Sequence, residues 1–426
     1  MKNLIKELRW RDMIHDITPG CEEHLLTGMK SVYVGFDPTA DSLHVGNLIP
    51  IMMLVHSQRA GHKPFALVGG ATGMIGDPSG KSEERNLMDL EILTQNVEAQ
   101  KKQLKKFINF VDGENKAEMV NNYDWFKDMN LLDFIRNVGK HITINYMTAK
   151  DSVKKRLETG LSFTEFTYQL IQGYDFYWLK KNKNVTMQLG GADQWGNITT
   201  GTELIRRMGA GESYALTCPL MTKADGGKFG KTESGTIWLD KNRTSPYEFY
   251  QFWLNASDDD IIKYLKTFSL KDQEEINALY TAHGEAPHAR IMQKALAEEL
   301  TIRVHSEKDY EMALKASGIL FGKSTKDDLQ FLDENSFLSV FKGVKQNEIS
   351  KSKLEDGIGI IDLLSSESGF LPSKGDARRN LQQNAISVNK EKVNEDFVAN
   401  ATNLINNKYI LLQKGKKNYF VLKFID

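Results

Sequence analysis

The 426-residue chain lacks several features that would place it quickly. It has 2 cysteines, Cys21 and Cys218, too few for a disulfide framework or a cysteine-ligated metal site; such usage fits a reducing compartment. It has no excess of either charge. With 55 Lys and Arg against 56 Asp and Glu the net charge is -1, so any attraction to nucleic acid or to an anionic substrate must be local. No apolar run approaches membrane-spanning length. The start, Met1-Lys2-Asn3-Leu4-Ile5-Lys6-Glu7, alternates charged and apolar residues and is no signal peptide. Internal repeats and low-complexity tracts are missing too. These absences lead to the expectation of a soluble cytoplasmic protein with no membrane partner and no tightly bound metal. The 40% apolar and 10% aromatic content supports sizeable cores in two or three domains.

The order of elements predicts a parallel sheet. Ser31 to Phe36 is apolar and β-branched, Asp37-Pro38-Thr39 breaks it, and a helix is predicted from about Leu43 to Ala60 with apolar residues at 48, 49, 51, 52, 54 and 55. Pro64 to Val68 reads as a second strand. A long helix is expected from Ser82 or Glu83 to Phe110, residues 116–184 read as mostly helical, Val185 to Leu189 as a buried strand, and 196–208 as a further helix; residues 4–29 read as one or two helices. Strand–helix–strand units of this spacing imply right-handed crossovers, with ligands at the carboxyl ends of the strands. After Cys218-Pro219 the pattern changes. A glycine-rich loop covers 224–235, Ser245-Pro246-Tyr247-Glu248 opens a helical region with a capping-box spacing, residues 323–352 read as a polar linker, and the rest as α+β. Between 373 and 423 ten Lys or Arg face four Asp or Glu, a local charge of +6.

Five stretches carry candidate chemistry. His44-Val45-Gly46-Asn47 stands where a helix follows a strand, and unpaired backbone N–H groups there suit an anion. A neutral imidazole at that place is suited to donating a hydrogen bond, and Gly46 leaves room for a flat ligand. Gly76 to Ser82 comes one residue short of a P-loop. Its Asp77 is suited to a cation such as an amino group, or to capping a turn. Tyr168, Gln172 and Asp175, at i, i+4 and i+7, share one helix face, either a recognition face or a solvated stripe. Lys228-Phe229-Gly230-Lys231-Thr232 suits a mobile clamp on a polyphosphate. Lys374, Arg378 and Arg379 form a basic helix that suits RNA or is simply solvated.

Taken in order, and with Gly190-Gly191-Ala192-Asp193-Gln194 between the third and fourth, these stretches resemble those of one family over residues 30 to 426. The chain is similar to bacterial tyrosyl-tRNA synthetases, a class I aminoacyl-tRNA synthetase family. His44-Val45-Gly46-Asn47 matches the class signature written HIGH, Lys228 to Thr232 the one written KMSKS, and 373–395 the S4-type RNA-binding module. The resemblance implies tyrosine–tRNA ligase activity, with ATP and Mg2+ and with tRNA-Tyr as partner, in a homodimer whose interface includes the aromatic-rich insert near 120–180. It implies that Tyr33 and Asp175 bind the phenol hydroxyl of L-tyrosine. Asp77, Tyr168 and Gln172 would hold its ammonium group, and Gln194 would lie beside substrate and ribose. Gly35, Asp37, Gly46 and Gly191 would line the nucleotide pocket, with Asp193 on the ribose. Thr39 and His44 would meet the phosphates, and Lys81, Arg85, Lys228, Lys231 and Thr232 would stabilise departing pyrophosphate. Asn47 stands where the signature has its second histidine, and its amide can still donate a hydrogen bond. Val34 stands where some members carry cysteine.

The expected fold class is therefore α/β: a Rossmann-like parallel-sheet catalytic domain (1–222, helical insert near 116–184), a mobile loop and connector (223–243), an α-helical anticodon-recognition domain (244–322), a linker (323–352) and a small α+β S4-like domain (353–426). Two other readings compete. One is a non-catalytic RNA-binding protein on a synthetase core, suggested by Asn47. The other is a different His-x-Gly-x nucleotidyltransferase, with the tryptophanyl enzymes as a sister case.

Overall fold

The strand expected at 31–36 forms as written, and its neighbours in the sheet explain where everything else goes. A computed structural model describes residues 2–79, 88–232, 235–320, 325–415 and 418–426, with the backbone alone at Ser152, Lys155, Thr159, Thr232 and Leu320. Its first part runs α1 (Leu4–Trp10), β1 (Asp16–Ile17), α2 (Cys21–Leu26), β2 (Ser31–Phe36), α3 (Leu48–Arg59), β3 (Lys63–Val68), α4 (Leu90–Leu104) and β4 (Glu118–Asn121). Then come α5 (Tyr123–Phe126), α6 (Leu131–Asn137), α7 (Ile144–Thr148), α8 (Asp151–Thr159), α9 (Phe163–Lys183), β5 (Val185–Gly191), α10 (Trp195–Arg207) and β6 (Tyr214–Cys218). A short hairpin, β7 (Lys231–Thr232) and β8 (Gly235–Thr236), precedes four helices, α11 (Pro246–Leu254), α12 (Asp258–Phe268), α13 (Gln273–Glu285) and α14 (Ile291–Val304).

The sheet order is β1-β6-β5-β2-β3-β4. All pairs are parallel except β1 with β6, where Asp16 faces Thr217. From β2 the chain moves outward to β3 and β4, then returns to lay β5 and β6 on the other side. The switch point between β2 and β5 opens a crevice at the strands' carboxyl ends. α3 is buried on nearly every side from Leu48 to Ser57, as expected of a helix with apolar residues all round. On the other face Tyr33, Phe65, Leu67, Phe176, Leu179, Val185 and Ile205 form one core cluster.

α9 is the longest helix of this part. Ser162 and Glu165 form a capping box at its start, and Asn184 closes it in the left-handed conformation. The buried Glu165 is also paired with Arg156 at 2.8 Å. α9 lies close against α10 because glycines meet at the crossing: a Cβ on Gly201 would sit 3.0 Å from Phe176 side-chain atoms. Gly201→Val is expected to cost about 2–3 kcal/mol through overpacking, read as a lower midpoint in thermal or urea denaturation.

Several expected boundaries move. β1 interrupts the helical reading of 4–29 because it adds to the sheet edge. The helix expected from Leu43 starts at Leu48, after a 3-10 turn at Val45–Asn47. The helix expected from Ser82 or Glu83 starts at Leu90, because the Asp89 carboxylate caps it through the Glu91 N–H at 2.8 Å; residues 82–87 lie outside the described residues. That helix ends at Leu104, where Lys106 and Phe107 donate to carbonyls three residues back.

The chain divides into two compact units, residues 1–240 with 254–304, and residues 241–253 with 305–426. In the second, a five-stranded sheet runs in the order Glu391–Lys392, Ile386–Val388, Tyr409–Lys414, Asn418–Ile425 and Gln346–Ser350. The stretch 323–352, expected as a linker, holds helices Lys326–Phe331 and Glu334–Val340 and that edge strand. Its polar composition belongs to an outer face; Leu329, Leu332, Phe337, Val340 and Phe341 are buried in a core with Tyr409 and Val421.

Candidate active site

Tyr33 points from β2 into the core beneath the crevice, and its phenol is 1% exposed with no hydrogen-bond partner among the described residues. Burial, followed by the nearby Asp175, pushes its pKa well above the usual phenol value. Asp175 lies on α9 and is 2% exposed. Asn122 donates to its Oδ2 at 3.0 Å and Trp125 Nε1 to its Oδ1 at 2.9 Å. Desolvation nevertheless outweighs these two donors and, with Asp37 adding repulsion, raises its pKa to about 8. In its ionised form each oxygen of this carboxyl keeps one further acceptor site. A buried O–H without a partner beside an acceptor with spare capacity is the arrangement that binds a ligand hydroxyl, which can accept from one and donate to the other.

A chain of hydrogen bonds leads from there to the next carboxylate. Asn122 also donates to Thr72 Oγ1 at 3.0 Å, Thr72 donates to Asp37 Oδ1 at 2.7 Å, and the Tyr168 hydroxyl donates to Asp37 Oδ2 at 2.7 Å. Tyr168 is buried, and its pKa is held high first by burial and then by Asp37 and Asp77. The expected trio of Asp77, Tyr168 and Gln172 thus divides. Tyr168 turns to Asp37, whereas Asp77 accepts from Gln194 Nε2 at 2.6 Å, from the Ser79 N–H at 2.9 Å and from Asn197 at 3.4 Å. Gln172 reaches Gln194 Oε1 at 3.4 Å and keeps a buried Oε1 without a partner among the described residues. Asp193, exposed beside Gly191 at the end of β5, accepts from Gln194 at 3.3 Å.

The signature elements lie at the same edge. His44 is the N-cap of the 3-10 turn. Its Nδ1 accepts the Gly46 N–H at 3.0 Å, and its own N–H donates to Asn47 Oδ1 at 2.9 Å. An accepting Nδ1 leaves the proton on Nε2 in the neutral ring. Asn47 spends its oxygen on the cap and keeps its NH2 to donate. Thr39 and Gly35 are exposed. Lys228 and Lys231 are exposed on the loop that returns to this edge, where His44 bridges Trp238. Of Thr232 only the backbone is described, in β7; Lys81 and Arg85 lie outside the described residues. Lys374, Arg378 and Arg379 are exposed in the second unit, on helix Lys374–Gln382. Lys374 pairs with Asp362 at 2.5 Å, and Arg379 with Asp376.

Sequence reasoning missed Asn122, Trp125, Thr72 and Asn197, which join the candidate side chains to one another. It also missed Gln188, the register partner of Tyr33, which is 2% exposed with a partnerless Oε1 among the described residues. The available signal was the pair Asn121-Asn122 at the carboxyl end of a strand. Among the described residues no group of three or more His, Cys, Asp or Glu is placed to hold a metal ion.

A family model for class I tRNA synthetases, covering the tryptophan and tyrosine types, matches residues 27–322. A model for the C-terminal domain of tyrosine–tRNA ligases matches residues 337–422. A tyrosine–tRNA ligase from Flavobacterium johnsoniae is 59% identical over 431 residues, covering 100% of both chains. The chain belongs to the class I tyrosyl-tRNA synthetases. Another relative of this synthetase family, the tyrosine–tRNA ligase of Cytophaga hutchinsonii, is 59% identical over 427 residues and again covers 100% of both chains. Among solved synthetases, a C-terminally truncated mitochondrial tyrosyl-tRNA synthetase from Aspergillus nidulans superposes with a TM-score of 0.68 at 30% identity, over 75% of this chain and 95% of that one. No helix among the described residues is long and apolar enough to cross a membrane.

Proposed function

We propose that the crevice of the first unit carries out tyrosine activation, the first half of the tyrosine–tRNA ligase reaction. The observation that carries this reading is the Tyr33 hydroxyl, without a partner among the described residues, beside Asp175. The phenol hydroxyl of L-tyrosine donates to Asp175 and accepts from Tyr33. Asp77, with Gln172 and Tyr168 nearby, faces the ammonium group, and Gln194 lies between substrate and ribose. ATP lies over Gly35, Asp37, Gly46 and Gly191 with its ribose at Asp193, and Mg2+ arrives with it as part of the nucleotide substrate.

The tyrosine carboxylate attacks the α-phosphate; tyrosyl-adenylate forms as the bond to pyrophosphate breaks. The nucleophile is already ionised, so no general base is required. The protein's work is to align two anions and to absorb charge on the leaving group. His44 Nε2, Asn47 and Thr39 serve the phosphates; Lys81, Arg85, Lys228, Lys231 and Thr232 serve the pyrophosphate. The terminal ribose hydroxyl of tRNA-Tyr then takes the tyrosyl group. Lys374, Arg378 and Arg379 contact tRNA phosphates, and residues 244–322 and 353–426 act as the anticodon-recognition and S4-like parts. A homodimer in the cytoplasm is the working form, its interface drawing on the exposed Leu131, Leu132, Ile144 and Phe163 of the insert.

The test is exchange of labelled pyrophosphate into ATP. Exchange that depends on tyrosine, and that phenylalanine does not replace, is the expected result. No tyrosine-dependent exchange by folded protein overturns the reading.

A further inference from the structure

The loop that carries Lys228 and Lys231 has three glycines, Gly226, Gly227 and Gly230, in five residues. Such a segment loses much backbone entropy when it is fixed in one place. Something must hold it if its lysines are to meet a leaving group accurately. One face of α12 is built for this. Asp260, Tyr264 and Phe268, at i, i+4 and i+8, form a stripe along the helix. Asp260 Oδ1 accepts the Ala224 N–H at 2.9 Å. The Phe229 ring, half-buried, stacks on Phe268 with centroids 5.5 Å apart and planes at 11°, and meets Tyr264 at 5.2 Å and 56°.

The next residue closes the link to the phosphate edge. Gly230, at φ +77°, lies so close to the His44 turn that a Cβ would come within 2.7 Å of Val45 Cγ2. Its carbonyl accepts the Ile237 N–H at 3.0 Å, and the Ile237 carbonyl accepts the Val45 N–H at 3.0 Å. α12 is itself fixed. Arg11, the cap residue of α1, donates to the carbonyls of Lys266, Ser269 and Lys271 at 2.8, 2.9 and 2.7 Å. Arg303 of α14 donates to that of Phe268 at 2.9 Å, and Arg59 to that of Leu270 at 3.0 Å. Arg59 ends α3, the helix whose other end follows the His44 turn.

We infer that Phe229 is a positioning residue for the activation step: seated on the Tyr264–Phe268 face of α12, with Asp260 holding the loop's entry at Ala224, it fixes Lys228 and Lys231 relative to His44. It touches no substrate and acts through the lysines. The inference rests on the reading of those lysines as the pyrophosphate-binding pair.

The experiment measures tyrosine affinity by equilibrium dialysis and the rate of adenylate formation by rapid quench, on the full chain. Phe229→Ala is expected to lower the rate constant about 10- to 100-fold, the scale of a misplaced catalytic group, with tyrosine affinity unchanged and the protein still folded at assay temperature, its denaturation midpoint lowered only by the packing lost at Phe268. Phe229→Tyr, which keeps the ring, restores the rate. Asp260→Asn, which keeps an acceptor for Ala224, stays near wild type, whereas Asp260→Ala does not. Phe229→Leu combined with Phe268→Leu loses no more than Phe229→Leu alone, because both act through one contact. A Phe229→Ala rate like that of wild type, or losses that add in the double variant, overturns the inference. If Lys231→Ala also leaves the rate unchanged, the reading of the lysines has failed; if Lys231→Ala is slow and Phe229→Ala is not, only the seat has failed.

Discussion

Asp175→Ala is expected to weaken tyrosine binding by roughly 30- to 150-fold while leaving ATP binding nearly unchanged. Loss of a hydrogen bond to a charged or strongly polarised group costs about 2–3 kcal/mol in a buried site, and each 1.4 kcal/mol is about tenfold. The cost is high here because the change leaves Tyr33, Asn122 and Trp125 with polar hydrogens turned toward a cavity. Asp175→Asn is expected to fail as well: its NH2 replaces one of the two oxygens and meets either the Asn122 or the Trp125 donor head-on. Equal losses for tyrosine and ATP, measured by separate binding titrations, would contradict the assignment. The same carboxyl leaves a pH signature in the unliganded protein. The folded state holds its proton up to about pH 8, whereas the unfolded chain releases it near 3.8. Between those values the folded state binds more protons, so Asp175 makes stability fall as pH rises through this window. Urea melts at a series of pH values should show that slope, and Asp175→Asn should flatten it.

Lys231→Ala is expected to slow adenylate formation about 100-fold, the usual effect of removing one donor aimed at developing charge, with the KM for tyrosine unchanged. The lysine is exposed and holds no part of the tyrosine pocket. A loss confined to the rate constant is therefore what an interaction made in the transition state predicts. Rapid-quench measurement of the first turnover separates this from slow product release. An unchanged rate constant would remove Lys231 from the leaving-group set.

The parallel sheet and the shared face of Tyr168, Gln172 and Asp175 were legible from local pattern, whereas the strand order that creates the switch point was not. Strand alternation and the i, i+4, i+7 spacing of Tyr168, Gln172 and Asp175 are short-range signals, and short-range geometry honours them. The partners of those side chains were not legible. Asn122 and Trp125 come from just beyond β4, some fifty residues before Asp175, and only the sheet order brings them there. The hydroxyl of Tyr168 illustrates the same limit. Spacing put it on the right face but gave no means of choosing between Asp77 and Asp37 as its acceptor, and Asp37 takes it. Composition misled at 323–352, where serines and lysines on an outer surface outweighed the five apolar side chains that face a core. The expected start near Ser82 lies outside the described residues; the helix that is described begins at Leu90, capped by Asp89.

One strand of the second unit has a practical corollary. Gln346–Ser350 pairs in parallel with Asn418–Ile425 along its full length, from Gln346 opposite Val421 to Ser350 opposite Ile425. A fragment begun at residue 353 would strip that partner away and leave the last strand as a bare, largely apolar edge, a template for self-association. A fragment meant to express this module alone therefore has to keep residues 305–352 as well, since Ala316 and Ile319 share its core with Leu329, Phe337 and Tyr409.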